Sequence, residues 1–127
     1  MKRFCTLLPL LLIFSSYSLM SGISDVITAM KAGDAAKLAN FFDNSVEITT
    51  PARSSSYSKS QAQMVIKDFF ATNTVKGFDV IHQGENAGSE YCIGTLQTAT
   101  GDFRTTIFMK QLGGGVQVVQ ELRFENK

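Results

Sequence analysis

The chain has no tryptophan, one histidine, two prolines and two cysteines, and its twelve basic residues nearly balance eleven acidic ones. Each scarcity removes a class of function. One histidine and scattered carboxylates offer none of the ligand spacings that bind zinc, so no metal or cofactor is expected. Near-neutral charge without a basic stripe excludes the electrostatic footprint of a nucleic-acid binder. Gly113, Gly114 and Gly115 precede no helix, so they lack the setting of a phosphate loop. Charged residues make up 18% and hydrophobic ones 44%, a balance that supports a packed core rather than disorder. A length of 127 residues fits one domain.

What is present begins with an address. Lys2 and Arg3 precede an apolar run from Phe4 to Phe14, and small serines follow at Ser15, Ser16 and Ser18. This is the layout of a secretory signal, with cleavage expected after Ser18 and no later than Gly22. The alternative, an uncleaved anchor, needs roughly 20 apolar residues, and the serines interrupt the run well short of that. The expected organisation is therefore a signal over 1–18 and one domain over 19–127, periplasmic or secreted, with no membrane association after cleavage. Cys5 leaves with the signal, so Cys92 has no intrachain partner, and no cysteine stands at the cleavage site to carry a lipid. Lys2 and Arg3 leave too, and ten basic against eleven acidic residues remain.

Ile23, Val26, Ile27 and Met30 fall on one helical face, which Gly33 ends, and Asp34 caps a second, shorter helix carrying Leu38, Phe41 and Phe42. Asp43 and Asn44 are expected to end it. Val46, Ile48 and Thr50 alternate as a short strand before Pro51, and Arg53 to Ser56 read as a polar loop. Ser58 and Gln61 form a capping box ahead of Ala62, Val65, Ile66, Phe69 and Phe70, the clearest helical spacing in the chain.

Beyond Gly77 the period becomes two. Four strands follow, carrying Phe78–Val80–His82, Tyr91–Ile93–Thr95, Phe103–Thr105–Ile107–Met109 and Val116–Val118–Gln120–Leu122–Phe124, and glycine-containing turns make them an antiparallel meander. The expected fold class is α+β, three N-terminal helices packed on a curved antiparallel sheet. Those strand sets are expected to face the helices. Ile81, Cys92, Leu96, Phe108 and Val119 then fall on the outer face, an apolar surface that a homodimer would cover.

This arrangement resembles the nuclear transport factor 2-like superfamily, in particular its small exported bacterial members of unknown function. The likeness rests on Ile27-Thr28-Ala29-Met30-Lys31-Ala32-Gly33-Asp34, Leu38…Phe41-Phe42, Val46-Glu47-Ile48, Ser60…Ile66…Phe69-Phe70, Tyr91-Cys92-Ile93-Gly94 and Val119-Gln120-Glu121-Leu122-Arg123-Phe124. It implies a cone-shaped α+β fold with a pocket between helices and sheet, and it implies no single activity. On that fold the expected ligand-binding residues are Tyr57, His82, Tyr91 and Gln120, with Thr105 beside them, around a small apolar molecule.

No catalytic residue is assigned. His82 has the right pKa range for a general base, but no relay partner is visible in the sequence. Asp43, Glu47 and Glu121 match no catalytic position of the superfamily. Asp43 reads as a helix end, and Glu121 as the partner of Arg123. Ser54, Ser55 and Ser56 lack a local activating base. The leading expectation is an exported, non-catalytic binding module whose contact surface is either a small apolar pocket or the exposed sheet face, with a small apolar molecule or an envelope protein as its partner. The alternatives are an isomerase- or dehydratase-like enzyme working through His82 or a pocket carboxylate, and an assembly protein of the envelope.

Overall fold

A computed structural model describes residues 22–127 of the chain. The expected signal over 1–18, its cleavage site after Ser18 and Cys5 lie outside the described residues. Among those described, no helix is long and apolar enough to cross a membrane.

Helix α1 spans Gly22–Ala32 and α2 spans Ala35–Ala39. The junction is built as the sequence implies. Gly33 takes φ +62°, its N–H reaches the Met30 carbonyl (3.1 Å), and the Asp34 N–H reaches that of Ala29 (3.0 Å), which together close the helix end. The Asp34 carboxylate then accepts from the Lys37 N–H and starts α2. The second helix is shorter than its apolar residues imply. Phe42 already opens strand β1 (Phe42–Thr49), and Asp43 and Asn44 belong to that strand.

Residues Ser54–Ser58 form a strand, β2, rather than a loop. They pair antiparallel with β1, Tyr57 opposite Val46 and Ser56 opposite Glu47. A serine run carries almost no hydrophobic alternation, so its extended state comes from the ladder and not from its own pattern. Helix α3, Lys59–Thr72, follows at once. Ser58 accepts from the Gln61 N–H while the Gln61 side chain accepts from the Ser58 N–H, both at 3.3 Å.

Strands β3 (Val75–Asn86), β4 (Ser89–Thr98), β5 (Gly101–Gln111) and β6 (Gln117–Asn126) form the expected meander, with a turn of 3-10 helix at Gly113–Gly115 before β6. The six strands lie in the order β2-β1-β6-β5-β4-β3, a curved and unclosed sheet. All pairs are antiparallel except β1 with β6, so the sheet is mixed. The helices cover one face, and Val26, Met30, Leu38, Ile66, Val46, Ile107, Leu122 and Phe124 make one continuous core with it.

Strand facing differs from the expectation on three strands. Cys92, Leu96 and Val119, expected outside, are fully buried in the core. Tyr91, Ile93 and His82, expected inside, lie on the face away from the helices, because Ile93 is paired with both His82 and Thr106. Two bulges account for much of this. Ile81 is an extra residue between the pairs Val80–Gly94 and His82–Ile93, and Gln120 is an extra residue between Val119 and Glu121. One inserted residue reverses every side chain beyond it. On β4 both faces are apolar enough for period two to leave the choice open, and the neighbouring strands make it: Leu96 pairs with Phe78 and Phe103.

Candidate functional site

A cleft lies between α3, the β1–β2 hairpin and the ends of β5 and β6, with a volume of about 540 Å³. Its shape follows from three local features. Pro51 follows the end of β1, and the Thr50 N–H bonds to the Arg53 carbonyl (2.8 Å), which closes a tight turn and sets Arg53 in the cleft's lining. Tyr57, opposite the buried Val46, therefore projects to the helix side of the sheet. The capped start of α3 sets its phase, so Val65, Asp68, Phe69 and Thr72 line the cleft while Ala62, Ile66 and Phe70 enter the core.

The floor is apolar and aromatic. Phe69 packs against Phe124 with the rings tilted by 30° at a centroid distance of 4.5 Å, and meets Phe103 edge-on at 5.3 Å. Ile48 and Val65 complete it. The rim is polar, with Arg53, Asp68, Asn73 and Asn126. Asn73 is held in place, donating to the Phe69 carbonyl (3.0 Å) and accepting from the Thr100 hydroxyl. Among the described residues the ion pairs are those of Arg123 with Glu121 (3.1 Å) and Glu125 (3.8 Å), so Arg53 and Asp68 stand at the rim unpaired. Chemically the arrangement suits an apolar body with a polar end.

Of the four residues expected to bind ligand, Tyr57 lines this cleft. His82 and Tyr91 come together elsewhere, on the outer sheet face, with Nε2 and the hydroxyl 2.8 Å apart. The Tyr91 ring lies over Gly84, where a Cβ would come within 2.6 Å of it, and so reaches diagonally to His82. Gln120, the bulge residue, donates to the Asp43 carboxylate (3.3 Å). Thr105 is fully buried and donates to the Phe103 carbonyl. The histidine therefore does have a polar partner, but that pair and the cleft lie on opposite faces of the sheet.

Nothing in the sequence marks Arg53, Asp68, Phe103 or Asn126 as site residues. They come from four separate segments, and only their convergence marks them. Phe69 carried a signal, its helical spacing, which reads first as core, and it serves both core and cleft. Cys92 is buried, and burial pushes its thiol up to about 11. Among the described residues no three His, Cys, Asp or Glu side chains gather as a metal site would require.

The family model described as Domain of unknown function (DUF4783) matches residues 23–125. The chain belongs to this family. Among solved structures, it is similar to a DUF4783 family protein from Bacteroides ovatus, with 33% identity and a TM-score of 0.78 over 82% of this chain and 94% of that one. It is also similar to a DUF4783 family protein from Bacteroides fragilis, with 30% identity and a TM-score of 0.76 over 81% and 96%. A nuclear transport factor 2-like protein of unknown function from Cytophaga hutchinsonii shares the fold at 9% identity, with a TM-score of 0.58 over 83% and 86%. The cone-shaped α+β fold of that superfamily is thus the fold of this family member. No curated protein matches the sequence.

Proposed function

We propose that this family member is an exported, non-catalytic binding module that holds a small, mostly apolar molecule in the cleft between α3 and the β1–β2 hairpin. The observation that carries the reading is the cleft itself. It has about 540 Å³ of space, an aromatic floor of Phe69 and Phe103, and the polar groups of Tyr57, Arg53 and Asp68 at its edge. Volume, lining and a few convergent polar groups are the usual marks of a small-ligand site. The separation of the His82–Tyr91 pair from the cleft supports binding over proton-transfer chemistry there. Export is supported by the charged start, apolar run and small serines of residues 1–18.

Titration with the fluorescent apolar anion anilinonaphthalene sulfonate tests the site. Val65→Glu places a carboxylate against the apolar floor and is expected to weaken binding about tenfold or more, since charge desolvation opposes occupancy. Ile81→Glu, on a bulge residue that is 65% exposed, is expected to leave binding unchanged. The reverse result would move the contact surface to the outer sheet face. That face carries half-buried Tyr91, Ile93 and Phe108, and it is where we place homodimer contact, with sedimentation at working concentration as the check.

A further inference from the structure

Two buried oxygens at the far end of the sheet lack what buried oxygens normally have. Glu90 at the start of β4 and Gln117 at the start of β6 face each other beside a polar cavity of about 440 Å³, under the β3–β4 turn. The Gln117 amide nitrogen donates to Glu90 Oε1 at 2.9 Å. That bond uses one oxygen of the carboxylate and orients the amide. Glu90 Oε2 and Gln117 Oε1 are left buried, with no hydrogen-bond partner among the described residues. Buried acceptors are nearly always satisfied, and an unsatisfied carboxylate oxygen is among the costlier exceptions. Both orphans are acceptors, so the missing group is a donor, and the carboxylate favours a cationic one.

The chain itself arrives at this spot. Gly22, the first residue of α1, packs against the Gln117 side chain, and a Cβ on it would lie 3.6 Å from Gln117 Oε1. We propose that the α-ammonium group created by signal cleavage docks on Glu90 and Gln117. This rests on the export reading above. Cleavage after Ser18 leaves Leu19, Met20 and Ser21 ahead of Gly22, and three residues span at most about 11 Å, so the new terminus stays within reach of the pair. An ammonium carries three donors and one positive charge, enough for both orphan oxygens. The dipole of α1 opposes a cation at this end, and the Glu90 carboxylate with Asp25 in the first turn offsets it. Before cleavage no ammonium exists at residue 19, so the proposed docking can only follow processing.

The test uses protein exported with its own signal and recovered outside the cytoplasm. Its intact mass comes first. A retained signal overturns the export reading and this proposal together. For a processed chain, the rate of an α-amine-selective aldehyde reagent is compared with that on a free peptide of the same N-terminal sequence. Docking is expected to slow labelling about tenfold, and Glu90→Gln to restore most of that rate. Glu125→Gln, on the outer face of β6, is expected to leave it slow. Labelling of the processed chain at the peptide rate, or no acceleration in Glu90→Gln, overturns the docking while leaving the export reading intact. If Glu90→Gln does not fold, a crystal structure of the processed wild-type protein decides: the α-nitrogen within 3.5 Å of Glu90 Oε2 supports the proposal, and the terminus elsewhere with only water on that oxygen overturns it.

Discussion

Gly94 shows what a single position can hold in place. It lies on the inner face of β4, with the Phe78 ring and the Asp79 backbone closing over it, and a Cβ there would lie 2.5 Å from the Asp79 carbonyl oxygen and 2.6 Å from the ring. Backbone cannot yield as a flexible side chain can. Gly94→Ala is therefore expected to cost about 1–3 kcal/mol of stability, the usual range for overpacking, read from the urea midpoint. The outer face of the same strand pair uses glycine differently. Gln97 lies over Gly77 and donates to Asp79 (2.7 Å), as Tyr91 lies over Gly84 and reaches His82. Each β4 side chain there fills the space of the missing Cβ and ties to the residue two places along, which steadies the edge strand β3.

At the scale of elements, α3 joins the core to the cleft, and its start is fixed by one local motif. Losing the Ser58 side chain removes the acceptor for the Gln61 N–H and half of the capping box. Ser58→Ala is expected to cost about 1 kcal/mol, with the midpoint of urea unfolding as the measure. Because Val65, Asp68 and Phe69 take their direction from that first turn, the same variant is expected to weaken anilinonaphthalene sulfonate binding modestly. The bulges at Ile81 and Gln120 act at this scale too. They decide which face His82 and Val119 occupy, and the Gln120 side chain, freed from alternation, bonds to Asp43 at the start of β1.

For the molecule as a whole, one core cluster runs from α1 to Phe124, and Cys92 sits inside it fully buried. Its thiol is expected to react with a disulfide reagent only as fast as the domain unfolds globally. Burial raises its pKa from 9.0 to about 11, so the folded chain keeps a proton that the unfolded chain gives up in that window. The thiol's contribution to stability is complete below about pH 9 and falls as pH rises toward 11. Urea midpoints across this range are expected to converge between the wild type and Cys92→Ala. The cleft also belongs to this scale, because Arg53, Asp68, Phe103 and Asn126 meet only when hairpin, helix and strand ends are assembled.

The sequence by itself determined the helix ends at Gly33, Asp34 and Ser58, the four-strand meander, and the α+β layers, because caps, turns and helical spacing act within a few residues. It carried Tyr57 into the cleft only as an inference from a family resemblance. Tertiary structure alone decided the rest. Ser54–Ser58 became a strand because β1 offered a ladder, and Cys92, Leu96 and Val119 turned inward because pairing and two bulges set the parity of their strands. A period-two pattern with apolar residues on both faces does not say which face meets the helices. That choice belongs to the neighbouring strands, and it separated His82 and Tyr91 from the cleft.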